Sequence, residues 1–382
     1  EAEPLDIGSQ AEPRNQFNHF KFKMKSGNNF ELERSNLTAN HKIAILLHEG
    51  ISGTQGKTGL AILRFSEAEI VAVIDRESAG KSLVELTKIT RDVPIVASVT
   101  EALAYTPKVL LIGIAPSGGA LPEAWLQEIR QAVAAGLSVI NGLHIQLAKD
   151  PQIQELLQPG QWVWDVRQEP PNLPIASAQA RSLACLRVLT VGTDMAIGKM
   201  STSLQLHQAS IQKGLRSKFL ATGQAGIMIA GDGIPLDAVR VDFAAGAVEQ
   251  LVMRFGADYE ILHIEGQGSL LHPGSTATLP LLRGSQPTHL ILVHKAGQNS
   301  LRKHPEIAIP PLPTVIQLCE AVAAAGGVFQ PAKVVAIALN THHLEDASAV
   351  QAIEQIQALT GLPCTDPVRF GADVLLDAVL EF

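Results

Sequence analysis

The residues best suited to chemistry lie in one run, Val191-Gly192-Thr193-Asp194-Met195-Ala196-Ile197-Gly198-Lys199-Met200-Ser201-Thr202. An apolar stretch at 185–190 precedes it and reads as a buried strand, and Leu204, Ile211 and Leu215 after it suit one face of a helix. A glycine-rich strand-to-helix turn ending in Gly-Lys cradles a phosphate chain. Its backbone N–H groups point inward, the helix N-terminus adds positive potential, and the lysine neutralises oxygens. Gly192, Thr193, Asp194, Gly198, Lys199, Met200, Ser201 and Thr202 are therefore candidate ligand contacts. The run departs from the usual loop in two ways. Five residues rather than four separate its glycines, and Met200 stands where a hydroxyl normally ligates Mg²⁺. Ser201 or Thr202 could substitute, or the loop holds phosphates without a metal.

A second signal is Ile261-Leu262-His263-Ile264-Glu265-Gly266-Gln267-Gly268. Glu265 ends an apolar strand, where phosphate-loop enzymes keep a Mg²⁺-associated acid, and it could equally be a general base. The glycines let backbone approach a ligand, and N–H groups near Gly266 or Gly268 could receive a developing oxyanion. Asp232 and Asp242 are further candidates for a base or an amine-binding acid, with solvated turn aspartates as the plain alternative. Lys295, Arg302 and Lys303 follow another strand and could meet a carboxylate. Asn340 ends the last strand, where its amide could read a nucleobase edge.

The first half carries a third pattern. Gly50-Ile51-Ser52-Gly53-Thr54-Gln55-Gly56-Lys57-Thr58-Gly59 follows a strand, and Asp75 ends the next one at a distance that suits an acid on a ribose hydroxyl. Gly53, Gly56 and Asp75 are candidate cofactor contacts. Glu77-Ser78-Ala79-Gly80-Lys81-Ser82 and Pro116-Ser117-Gly118-Gly119 fall at the same sheet edge. The alternative is a domain that binds no ligand and builds an interface instead.

The elements that must position these groups alternate between strand and helix. In the first half strands are expected at 42–47, 70–74, 109–114, 137–140 and 162–164, with a helix at 124–135. In the second they are expected at 187–191, 218–221, 260–264, 289–293 and 334–339, with a helix at 314–325. This predicts an α/β protein: an N-terminal Rossmann-like domain at 41–167, a proline-containing linker at 168–184, and a C-terminal P-loop NTPase-like parallel-sheet domain at 185–382. Residues 1–40 read as a polar arm or hairpin, with Phe20, Phe22 and Met24 alternating with lysines.

Composition agrees with this division. The 382 residues are 46% hydrophobic but only 4% aromatic, a bias toward small aliphatic residues that suits parallel sheets covered by helices. The net charge of −7 comes without a basic run, which argues against nucleic acid and anionic membranes as partners. No apolar stretch is long enough to span a bilayer, and no signal peptide is visible. Cys185, Cys319 and Cys364 stand far apart among apolar neighbours and read as reduced core residues of a cytoplasmic protein. No metal-ligand spacing occurs among the histidines, so no metal is expected.

Three resemblances sharpen the expectation. Residues 42–145 resemble the CoA-binding domain of succinyl-CoA synthetase at Ile51-Ser52-Gly53-Thr54-Gln55-Gly56, at Gly80-Lys81 and at Val93-Pro94-Ile95 leading into Glu101-Ala102, with NAD binding as the competing reading. Residues 186–382 resemble dethiobiotin synthetase at Gly192-Thr193-Asp194, Gly198-Lys199, Glu265-Gly266-Gln267-Gly268 and Asn340, although Met200 departs from its Lys-Thr. Nearly the whole chain resembles the D-glutamate N-acetyltransferase-like family, through Lys57-Thr58, Val73-Ile74-Asp75, Gly80-Lys81 and the loop ending Gly198-Lys199-Met200-Ser201-Thr202. That resemblance implies acetyl transfer from acetyl-CoA to the amine of D-glutamate or a similar D-amino acid, by a homo-oligomer acting on small molecules. The alternatives are an ATP- and Mg²⁺-dependent ligase or kinase, and a non-catalytic nucleotide-binding regulator.

Overall fold

The structure is a computed structural model that describes residues 41–53, 55–115 and 121–382. The arm expected at 1–40, Thr54 and the Pro116-Ser117-Gly118-Gly119 turn lie outside the described residues. Two parallel six-stranded sheets form the frame. The first comprises β1 (Lys42–Leu46), β2 (Glu69–Ile74), β3 (Ile95–Val96), β4 (Val109–Ile112), β5 (Ser138–Asn141) and β6 (Val163–Asp165), in the order β3-β2-β1-β4-β5-β6. β4 and β5 are buried throughout, as expected where helices cover both faces of a sheet. The strand order reverses between β1 and β4, which leaves the crevice used for ligands in doubly wound folds.

The second sheet comprises β7 (Leu186–Gly192), β8 (Ser217–Leu220), β9 (Ile261–Ile264), β10 (His289–Lys295), β13 (Lys333–Asn340) and β14 (Cys364–Thr365), in the order β14-β13-β10-β7-β9-β8. β7 sits between β10 and β9, so the phosphate loop leaves from the middle of the sheet. Glu265 leaves from its neighbour β9, and β13 ends at Asn340. A short antiparallel hairpin, β11 (Ser300–Leu301) and β12 (His304–Ala308), follows β10 and has Arg302-Lys303 at its turn. The expected α/β class and the two-domain parallel-sheet architecture are what the chain adopts. The hairpin was not expected, and neither were β3 and β14, whose two residues each carry no readable period.

The connecting segment is fastened to the second domain. Leu173 and Ala180 are buried in its core. The buried Glu249 carboxylate accepts hydrogen bonds from the Ser177 N–H at 3.0 Å, the Ser177 hydroxyl at 3.1 Å and the Gln179 N–H at 2.8 Å. Gly246, on the same helix Val241–Phe255, lies so close to the Pro174 carbonyl that a Cβ there would collide with it.

The domains meet through a pair of helices and the loops beside them. Helix Gln224–Ala230 of the second domain packs on helix Lys57–Phe65 of the first. Ile227 and Met228 are buried in one apolar cluster with the first-domain core, and Met200 packs against it. At Gly142, just after β5, a Cβ would stand 2.5 Å from the Met228 methyl. The Glu169 carboxylate binds Arg240 at 2.9 Å, and Arg167 pairs with Asp237. No helix is long and apolar enough to cross a membrane among the described residues.

Replacing Gly246 with Ala forces this helix away from the connector. The expected cost is about 2 kcal/mol, read from urea unfolding; a variant as stable as wild type would show that the connector is not held there.

Candidate active site

The phosphate loop turns through two left-handed residues, Ala196 at φ 56° and Gly198 at φ 117°, and Gly198 caps helix Lys199–Gln212. Lys199 is buried beneath the loop, and its Nζ donates to the Asp194 carbonyl at 2.8 Å. Burial lowers its pKa to about 8; Asp194 and Glu265 oppose that shift and Lys57 adds to it. The site therefore holds a cation whose direct partner is a neutral carbonyl.

Asp194 does not face an open ligand space. Its Oδ1 accepts the Met195 N–H at 2.6 Å, and its Oδ2 accepts the Gln298 amide at 2.7 Å and the Arg302 N–H at 2.9 Å. Burial opposes ionisation, but these hydrogen bonds and the nearby His272 outweigh it and hold the carboxyl below its ordinary range. Asp194 thus latches the hairpin turn to the phosphate loop. Asn340 does a similar job on the other side: its Nδ2 donates to the Ile197 carbonyl at 2.9 Å, and its Oδ1 accepts from His342 Nδ1 at 2.9 Å. Thr193 is buried against His294, with 2.9 Å between Oγ1 and Nδ1. The Thr202 hydroxyl donates to the Gly198 carbonyl at 3.1 Å, and both Ser201 and Thr202 line the adjoining cleft.

Glu265 is fully enclosed. Its Oε2 accepts the N–H groups of Thr222 at 2.8 Å and Gly223 at 3.0 Å, and its Oε1 accepts the Gln267 amide at 3.0 Å. Desolvation nevertheless dominates, against those hydrogen bonds and the charge of Lys199, and raises the carboxyl to about 7. A side chain at Gly226 would collide with Oε2. The Gly266 N–H is already spent on Thr190 Oγ1 at 2.9 Å, so it is not open to an oxyanion.

The other sequence candidates are dispersed. Asp232 pairs with Arg254 at 2.9 Å, and Asp242 stands exposed in the first turn of helix Val241–Phe255. Neither shares a hydrogen bond or ion pair with the phosphate loop among the described residues. Lys295 lies in register with Asn340 and within electrostatic reach of His342, whereas Arg302 sits exposed at the hairpin turn. In the first domain, a Cβ on Gly56 would collide with the Gly50 carbonyl, Gly53 is exposed beside Glu49, and the buried Asp75 accepts the Glu49 N–H at 3.1 Å. These residues fold their loop on itself next to the docked second domain.

A cleft of about 840 Å³ opens between the domains beside the loop. Gly198, Ser201, Thr202, Asn340 and Arg369 of the second domain line it together with Arg64, Lys88 and Arg91 of the first. Sequence reading missed these first-domain cations, whose spacing does not signal the domain contact, and Gln298, which meets Asp194 only through the fold; Gln267 stood in the Glu-Gly-Gln-Gly motif without a role. Lys57 did carry a signal, as the lysine of Gly56-Lys57-Thr58. Among the described residues, no group of three His, Cys, Asp or Glu gathers to hold a metal.

Residues 174–376 match a family described as a domain of unknown function, the P-loop domain of DUF1611, and residues 76–169 match the Rossmann-like domain of the same family. The chain belongs to the DUF1611 family. A crystal structure of a DUF1611 protein from Anabaena variabilis shares 66% identity, covering 90% of this chain and 100% of that one with a TM-score of 0.88. Two curated relatives are named D-glutamate N-acetyltransferase. The one from Tritonibacter scottomollicae is 38% identical over 281 residues, and the one from a Pseudoalteromonas species 36% identical over 284. Each match spans 73% of this chain and 83% of the relative.

The Glu265 carboxyl gives a test of the buried site. Its folded-state pKa of about 7 lies above its ordinary 4.5, so the folded protein binds this proton more tightly than the unfolded chain. That contribution is complete below the lower value and is lost as pH rises through the upper one. Glu265→Gln lacks it, so its urea midpoint should fall less than that of wild type between about pH 5 and about pH 8. Parallel slopes would contradict the enclosed, ionisable carboxyl.

Proposed function

We propose that this DUF1611 protein transfers the acetyl group of acetyl-CoA to the amine of D-glutamate or a closely similar acidic D-amino acid. The observation that carries the reading is the match to two curated D-glutamate N-acetyltransferases across 83% of their length. The site is compatible with it. CoA is a polyanion, and the cleft beside the phosphate loop is lined by Arg64, Lys88 and Arg91, while the buried Lys199 directly follows its lining residue Gly198. Acetyl-CoA supplies an activated thioester; the protein supplies position, charge and a proton acceptor.

In this reading Lys199 and the loop N–H groups hold phosphate oxygens, and Glu265 is the base, reached when the Gln267 amide swings off its Oε1. The acceptor amine must lose a proton before its nitrogen attacks the acetyl carbon. A carboxyl poised near 7 matches that task, since it is ionised at working pH yet basic enough to accept the proton. The new C–N bond forms as the C–S bond breaks, and the thiol of CoA leaves. The competing ATP- and Mg²⁺-dependent ligase needs a loop hydroxyl on the metal. Met200 at that position packs into the domain contact, and the Thr202 hydroxyl is bonded to Gly198, so the transferase reading is the better supported.

The test is thiol release from acetyl-CoA on addition of D-glutamate. Wild type should turn over. Lys199→Ala should lose acetyl-CoA affinity, and Glu265→Gln should keep that affinity while losing about a hundredfold in kcat. In wild type kcat/KM should rise with pH through about 7, as Glu265 ionises. Phosphate release from ATP with no thiol release would replace this reading with the ligase; ligand binding without any turnover would leave a regulator.

A further inference from the structure

The mechanism above leaves a group of cations unused. Lys57 begins helix Lys57–Phe65 of the first domain, and Arg302-Lys303 forms the hairpin turn of the second. All three are exposed, and none has a side-chain hydrogen bond or ion pair among the described residues. Two sets of contacts place them on either side of the Lys199 and Glu265 pair. The Arg302 N–H binds Asp194, whose carbonyl holds Lys199. On the other side, the Thr58 hydroxyl lies 3.5 Å from the amide of Gln224, the residue after Gly223, whose N–H holds Glu265. The electrostatics agree: crowding by protein atoms lowers the pKa of Lys57, and the charges of Arg302 and Lys303 lower it further. Like charges converging at a domain contact are unfavourable unless an anion joins them. The acid bonded to the hairpin turn, Asp194, already has both carboxylate oxygens occupied by N–H donors.

The cluster is separate from the cleft assigned to CoA. The lining of that cleft includes Gly198, Asn340 and Arg369 but none of Lys57, Asp194, Lys199, Arg302 or Lys303. Arg302 and Lys303 stand instead at the Asp194 end of the loop, and the charge of Lys57 is felt both there and at Lys199. We propose that Lys57, Arg302 and Lys303 form a carboxylate site for the acceptor, and that Lys57, reaching across from the first domain, makes the enzyme select a dicarboxylic over a monocarboxylic amino acid. This inference rests on the acetyltransferase reading. It adds the residue that would set substrate class, and it gives the first domain a part in the chemistry: without it, the acceptor site has cations on one side only.

The experiment compares D-glutamate with D-glutamine, which lacks the second carboxylate, in wild type, Lys57→Met and Lys57→Arg, and measures acetyl-CoA affinity by calorimetry. Lys57→Met should raise the KM for D-glutamate and cut the preference for it over D-glutamine by about tenfold, with acetyl-CoA affinity unchanged. Lys57→Arg should retain most of that preference. An unchanged preference in Lys57→Met, or a loss of acetyl-CoA affinity instead, would overturn the proposal by giving Lys57 to the surface or to the cofactor. If wild type acetylates no acidic amino acid, the functional reading falls, and binding of glutarate then decides the site. Glutarate bound by wild type and lost in Lys57→Met supports a dicarboxylate site; no binding to wild type overturns it.

Discussion

The buried charge of Lys199 governs this site. An ammonium removed from water costs several kcal/mol unless it is paired. Among the described residues its hydrogen-bond partner is only the Asp194 carbonyl. The two nearby carboxyls are otherwise engaged. Asp194 is committed to N–H donors of the hairpin, and Glu265 is held near 7 by its own burial. A loop that keeps a lysine under-neutralised, with its helix N-terminus beside it, is prepared for an anionic ligand. The surrounding contacts keep it so: Asn340 ties down the Ile197 carbonyl, Asp194 ties down the hairpin, and the Thr222 and Gly223 N–H groups fix Glu265.

Helix Gln224–Ala230 links this electrostatic centre to the domain arrangement. The residue before it, Gly223, binds Glu265, while Ile227 and Met228 are buried with the core of the first domain. A displacement of the domains would therefore move a hydrogen-bond donor to the carboxyl. The same contact explains Met200. A residue that looks wrong for a metal-binding loop fits a loop whose flank packs on another domain. The first domain keeps the doubly wound strand order, but its loop from Glu49 to Gly56 is folded on itself beside the second domain. Topology alone is a poor guide to which ligand a domain binds.

Much of this was legible in the sequence because it is local. Apolar runs of four to eight residues gave most of the strands of both sheets, and the spacing of Gly192, Gly198 and Lys199 gave the loop. Glu265 was recognisable as a carboxylate at a strand end. The features that escaped are those that need the chains of contact between distant segments. Asp194 reads as a ligand residue until the hairpin at 300–308 is seen to occupy it. Asn340 reads as a base-recognising amide until it is found on the loop backbone. Asp242 and Asp232 had the right chemical type, but one faces solvent at a helix start and the other is paired with Arg254. Lys57 could not be joined to Arg302 by spacing, because only the docking of two domains brings them together.

The central claim is that the phosphate loop and the facing wall of the first domain bind CoA together in the cleft between them. Hydrogen–deuterium exchange with and without CoA tests it most directly. The account predicts slowed exchange in two stretches at once, the loop from Thr193 to Thr202 and the first-domain wall around Arg64 and Lys88 to Arg91. Slowed exchange confined to the first-domain loop around Gly50 to Gly56 and Asp75, with the phosphate loop unaffected, would contradict it.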